Sequence, residues 1–215
     1  MDLDDPNNVY ATVIVAWLLD RLAPAQADAV AAWPLAQTRL VNGLTIAAWH
    51  NLADQNYGRG LLAAAPQEDL ADLCGDADIV VFGHWHEQVL RWTQRRQMLV
   101  NPGSVGQAWM SRPGATAPAP AEYALLRVAA DGVADVAFRC VPYDHAAEAE
   151  RARAADLPYL ELYEEQLATG TTFQHNHGRL ALIERRHGYR ELAERFLASV
   201  TRSRQNLDGA AVGQA

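Results

Sequence analysis

The segment Ala77-Asp78-Ile79-Val80-Val81-Phe82-Gly83-His84-Trp85-His86 constrains this chain more than any other. Ile, Val, Val and Phe in a row, bounded by Asp and Gly, predict a buried strand. Gly83 is expected to let the backbone turn sharply where that strand ends. Two histidines one residue apart then stand at the strand's C-terminal edge, where open α/β sheets bind their ligands. Imidazole is largely neutral near pH 7 and is the commonest metal-ligating side chain. The spacing His-x-His is short, however, and ordinary loop histidines match it as readily.

Two further segments repeat the arrangement. Leu44-Thr45-Ile46-Ala47-Ala48-Trp49 is an apolar run that ends in His50. Asn42-Gly43 precedes it and follows Thr38-Arg39-Leu40-Val41, a strong hairpin signal whose second strand delivers His50. Val89 to Trp92 and Met98 to Val100 read as strands joined by a polar turn, and the second feeds Asn101-Pro102-Gly103-Ser104. Tyr123 to Val128 and Val133 to Phe138 pair as a hairpin around Asp131-Gly132.

Helices are expected around these strands: Asn7 to Leu22, a short one from Pro24 ended by Trp33-Pro34, Gln67 to Leu73, and His145 to Ala155 capped by Asp144. Another begins at Pro158 and ends near Gly170. Residues 111 to 120 carry three prolines and form an exposed loop. Residues 171 to 178 are a linker. Arg179 to about Val200 is then one long amphipathic helix, with Leu180, Ile183, Leu192, Phe196 and Val200 on its apolar face.

Composition removes several function classes. Half of the 215 residues are hydrophobic, so the chain can bury a core. No apolar run has the length of a membrane span. A net charge of −8 argues against a general nucleic-acid surface. Arg91, Arg95 and Arg96, and likewise Arg185, Arg186 and Arg190, read as solvated faces. Cys74 and Cys140 are far apart and fit two reduced, buried thiols in a cytoplasmic protein. The acidic start Met1-Asp2-Leu3-Asp4-Asp5 shows no signal peptide.

Strand-His50, then strand-Gly83-His84-x-His86, then strand-Asn101-Pro102-Gly103-Ser104 resembles the C-terminal half of calcineurin-like metallophosphoesterases, in particular their small bacterial and archaeal members. The resemblance covers roughly residues 1 to 170, which it implies are a partial phosphoesterase domain, with 171 to 215 a linker and helical extension. The fold class it implies is α/β: the family's two-sheet sandwich, lacking its N-terminal strands, with an added C-terminal helix. By the same resemblance His50 and His84 would ligate one metal ion and His86 a second, beside a supporting turn of Gly83, Asn101, Pro102, Gly103 and Ser104. The family's earlier blocks, Asp-x-His, Gly-Asp and Gly-Asn-His-Asp, have no counterpart here. Gly75-Asp76 is out of order for the second of them.

The chemistry that this implies is hydrolysis of phosphate mono- or diesters. Two divalent ions about 3.5–4 Å apart stabilise the attacking and leaving oxygens and supply hydroxide near neutral pH. Mn, Fe, Zn or Ni all suit such ligands. Substrates of this class are phosphate-ester small molecules or phosphoproteins. Because the carboxylate-bearing blocks are absent, two other readings stand beside the enzyme. One is a catalytically inactive half-domain that binds or assembles through an exposed sheet edge, as an oligomer or with a partner chain. The other is a single ion held by three histidines, as in structural or His₃ zinc sites. His175-Asn176-His177 repeats the spacing in a linker, and His145 and His187 read as surface residues on helices.

Overall fold

The computed structural model describes residues 1–57, 70, 73–107, 119–172 and 176–212, with side chains described as far as residue 202. The expected helix at Gln67 to Leu73, the expected loop at 111 to 120 and His175 lie wholly or largely outside the described residues. The chain divides into two compact units: Ala32–His145 with Glu165–Thr171, and Met1–Ala31 with Ala146–Glu164 and Thr172–Ala215.

The first of these units is a mixed α/β sandwich. Its main sheet comprises β1 (Ala36–Val41), β2 (Leu44–Trp49), β3 (Ile79–Phe82), β4 (Gln88–Trp92) and β5 (Met98–Pro102), in the order β1-β2-β3-β5-β4. β1 and β2 form the expected hairpin, with Val41 opposite Leu44. Asn42 and Gly43 both take positive φ, 48° and 85°, as a two-residue turn of matching twist requires. β2, β3 and β5 run parallel, with Trp49 beside Phe82 and Val81 beside Val100. β4 closes the sheet antiparallel to β5, so Gln88 lies opposite Pro102.

Alternation along the parallel strands fills both faces of this sheet. Ile79, Met98 and Val100 face a two-stranded sheet of β6 (Ala121–Val128) and β7 (Ala134–Val141), where Ala124, Leu126, Val136 and Phe138 pack on them. Ala47, Val80, Phe82 and Leu99 face the other way, onto Leu70 and Cys74. Buried strands of this kind carry continuous apolar runs, which explains the unbroken Ile-Val-Val-Phe. Asp78 fixes the start of all three parallel strands: its N–H donates to Thr45 O, its Oδ2 accepts from Thr45 N, and its O accepts from Met98 N, at 2.8–2.9 Å.

The second unit is helical. It contains α1 (Pro6–Arg21), α2 (Pro24–Ala31), most of α3 (His145–Ala154), α5 (His177–His187), α6 (Tyr189–Val212) and the start of α4 (Leu160–Thr169). Val9 and Val13 of α1 bury against Tyr159, Leu162, Leu180, Ile183 and Ala193. Ion pairs from Arg186 to Glu161, and from Arg190 to Asp4 and Glu184, surround that core. Here the sequence expectation needs correction, because the single helix from Arg179 to Val200 is two helices. Gly188 sits between them at φ 66°, the left-handed conformation that ends a helix. Nine residues, about two and a half helical turns, separate Ile183 from Leu192, so one unbroken helix would set them on opposite faces, and the break lets both helices pack on the same core. Among the described residues no helix is long and apolar enough to cross a membrane.

Two predictions follow from this packing. Gly103 has φ +85°, and a Cβ there would overlap Glu122 Oε2 and lie 2.8 Å from Glu122 Cβ. Gly103→Ala should therefore lower unfolding free energy in urea by about 1–3 kcal/mol from overpacking alone. Cys74 is buried, its Sγ donates to Leu70 O at 3.0 Å, and burial pushes its thiol up to about 11. Cys140 is exposed. A thiol reagent at pH 8 should label Cys140 within minutes and Cys74 only after denaturation, as read by intact mass.

Candidate metal centre at the sheet edge

Parallel pairing brings the C-terminal ends of β2, β3 and β5 to one edge. β4 runs the other way, so its start arrives at the same edge. His50 follows β2, Gly83 and His84 follow β3, His86 precedes β4, and Asn101 and Pro102 end β5. The topology alone therefore gathers every residue of the expected site except Gly103 and Ser104, which continue directly from β5.

Hydrogen bonds then fix the edge. Gly83 N–H donates to His50 O at 2.8 Å, tying the two strand ends together. The imidazoles of His50 and His84 meet nitrogen to nitrogen, with His50 Nε2 and His84 Nδ1 3.2 Å apart and the rings edge to face. His86 is held separately: its Nδ1 lies 3.0 Å from Gln107 O, which can only accept. That bond places the proton on Nδ1 and the lone pair on Nε2, the tautomer found when a histidine ligates through Nε2. Gln107 is itself anchored, its N–H donating to Ser104 Oγ at 3.0 Å and its O accepting from the buried Gln166 at 3.4 Å.

Partial burial holds His50 below the ordinary imidazole value, helped by the neighbouring His84 and His86. Burial likewise lowers His86, with the Gln107 bond opposing it and His84 adding to it. Both rings are thus biased toward the neutral form that binds metal.

The sharp turn expected at Gly83 is made by the next residue. Gly83 does not take positive φ; His84 does, at 63°. Gly83 lies against His50, where a Cβ would meet His50 Nδ1 at 3.4 Å, an ordinary contact distance. The Asn-Pro-Gly-Ser turn braces this arrangement. Asn101 is fully buried, and its Nδ2 donates to Gly83 O and to Trp85 O at 3.0 and 2.7 Å. Its Oδ1 accepts from Gly103 N at 3.0 Å. Ser104 O accepts from Glu122 N at 2.9 Å, joining the turn to β6. Asn51, next to His50, is also fully buried and donates to Tyr57 O.

Sequence reasoning missed Gln107 and Gln166, which act through a backbone carbonyl and leave no motif. It also misplaced His145, which is half-buried, stacked on Tyr143, and has Tyr143 O and Ala119 O at 3.0 and 2.8 Å from its two ring nitrogens. A cleft of about 730 Å³ beside β2, lined by Trp49, Leu52, Asp54, Cys74 and Asp76 among others, includes none of the three edge histidines.

The donor set fits a metal ion in part. Imidazole nitrogens about 2.0–2.1 Å from a tetrahedral ion lie roughly 3.3 Å apart, close to the His50–His84 separation. Among the described residues, no group of three or more His, Cys, Asp or Glu side chains is arranged to hold an ion. The edge therefore offers a two-imidazole half-site and a separately oriented third imidazole.

A family model for the calcineurin-like phosphoesterase superfamily domain matches residues 20–131, just over half of the chain. No curated protein matches the sequence. Among solved structures, the hypothetical protein PH1004 from Pyrococcus horikoshii OT3 is similar with a TM-score of 0.55 and 18% identity, over 71% of this chain and 57% of that one. Protein TM1076 of Thermotoga maritima gives 0.34 and 21%, over 53% of this chain and 59% of that one. Zinc-complexed Vps29 from Entamoeba histolytica gives 0.32 and 20%, over 49% and 59%. The chain thus spans 57–59% of the length of these structures. At such identities the likeness concerns the fold. The sandwich, the ordered strand-end histidines and the matched span lead to one conclusion: this chain belongs to the calcineurin-like phosphoesterase superfamily.

Proposed function

We infer that the protein is a metal-dependent phosphoesterase whose metal centre is built on His50, His84 and His86. The observation that carries this reading is the His50–His84 contact at the shared C-terminal edge of β2 and β3. The 3.2 Å separation suits an N–H···N hydrogen bond with one ring donating, or, with both lone pairs turned inward, a shared cation. His86, with its lone pair directed through Nε2, adds a third donor for the same or a second ion.

A divalent ion bound there would polarise a phosphoryl oxygen and lower the pKa of bound water. The chain's own residues supply the rest. His50 and His84 would hold the first ion at adjacent strand ends, and Gln107 O holds the His86 ring in one tautomer. Mn, Fe, Zn and Ni are all compatible with the imidazole donors, and phosphate mono- and diesters are the substrate class.

The second reading, a binding or assembly module, is favoured by one feature. β1 is an edge strand exposed along most of its length, with Leu40 at 75% exposure. A sheet edge of this kind invites another strand. Hydrolysis decides between the two readings.

With Mn²⁺ or Zn²⁺ added, the wild-type chain should hydrolyse an activated aryl phosphodiester. His84→Ala and His50→Ala should each lose at least about 100-fold of that rate. Wild-type metal binding without any hydrolysis would favour the module.

The pH dependence has a definite sign. His50 and His86 have folded-state values below 6.5, so between that value and their lowered ones the unfolded chain binds more protons. Stability and metal affinity should both fall as pH drops below about 6.5. His86→Gln should flatten the slope of stability against pH in urea titrations. An unchanged slope would contradict the assignment.

A further inference from the structure

The backbone at His84 is the least expected feature of the sheet edge. A φ of 63° is left-handed and uncommon for any residue with a side chain. The Trp85 N–H bonds back to Gly83 O at 2.7 Å, closing a three-residue turn with His84 at its centre. Turns of this size with positive φ are rare and strained. Such conformations persist where the surroundings over-determine them, and they gather at functional sites.

One side chain supplies much of that determination. Asn101 Nδ2 directs one proton to Gly83 O and the other to Trp85 O, the carbonyls on either side of His84. Its Oδ1 meanwhile accepts from Gly103 N, which fixes the amide's orientation. Two donors and one acceptor at this length are what an asparagine offers. Aspartate would set oxygens against both carbonyls, and the amide of glutamine would sit one methylene too far. Being fully buried, the amide has strong reason to keep these bonds, because breaking them strands polar groups away from water.

The geometry points to Asn101 as a positioning residue: it latches His84 into its left-handed turn and so holds the His84 ring against His50. This deepens the proposed metal site and rests on that reading for its purpose, though the latch itself is measurable without metal. It also gives the Asn-Pro-Gly-Ser turn a physical task. Gly103 supplies the N–H that orients the amide, and the amide sets the histidine.

The test uses the full chain. In the presence of Asn101, position 84 is held at positive φ, which glycine tolerates and alanine does not. His84→Gly should therefore have an unfolding constant about fivefold smaller than His84→Ala. Adding Asn101→Ala should erase that difference, because the released turn no longer demands positive φ. Where Asn101→Ala alone folds poorly, the glycine–alanine comparison with Asn101 intact still tests the latch. In Asn101→Asp, ring-to-ring nuclear Overhauser contacts between His50 and His84 should disappear while the far-ultraviolet circular dichroism stays. Zinc affinity should fall about 10–100-fold.

Equal stability of the glycine and alanine variants with Asn101 intact would overturn the latch. So would strict additivity, or His50–His84 contacts that survive in Asn101→Asp. A flat zinc titration of the wild type alongside the predicted coupling would remove the metal reading and leave the latch standing. Zinc affinity unaltered by Asn101→Asp would do the reverse.

Discussion

The parallel pairing of β2, β3 and β5 is the constraint on which the sheet edge depends. Three strands running one way deliver three chain ends to one line, and the residue after each strand becomes a neighbour of the others. Without that pairing, His50 and His84 would be two histidines 34 residues apart with no reason to meet. Asp78 anchors the three strands at their starts through Thr45 and Met98. Asn101 and the Gly83–His50 bond anchor their ends. Between the anchors lies an apolar core on both faces, which makes the sheet a rigid support for ligands.

The edge combines softness of chemistry with hardness of position. Among its imidazoles, burial holds His50 and His86 below the ordinary value, which favours the neutral form that a metal ligand needs. Their positions come from backbone atoms: Gln107 O for His86, and a turn clamped by Asn101 for His84. Carbonyls and amides do not titrate in the physiological range, so this framework should keep its shape while the imidazoles exchange protons or ions. The helical unit is organised differently, around Val9, Val13, Leu180 and Ile183 and a ring of arginine ion pairs, and it carries none of the edge residues.

Much of this was legible in the sequence, for identifiable reasons. The Ile-Val-Val-Phe run, bounded by Asp and Gly, reads as a buried strand, and Asn42-Gly43 as a tight hairpin turn, as both are. The ordered histidines and Asn-Pro-Gly-Ser marked the edge because strand ends project their next residue in a fixed direction. What escaped reading was backbone-mediated or local. Gly188 ends α5 in the left-handed conformation, and the roughly two and a half turns from Ile183 to Leu192 were the sign that one helical stripe does not continue through it. The turn was assigned to Gly83, the residue that adopts positive φ most easily, when Asn101 enforces it on His84 instead. Gln107 and Gln166 act through a carbonyl that any residue could provide.

The central claim is that the edge of β2 and β3 is a metal site built from imidazoles. X-ray absorption at the zinc edge, on the chain loaded with one equivalent of Zn²⁺, tests it most directly. The account predicts scattering from at least two imidazole ligands in the wild type, with one lost in His84→Ala. A first shell of oxygen alone, or one identical in the two proteins, would contradict it.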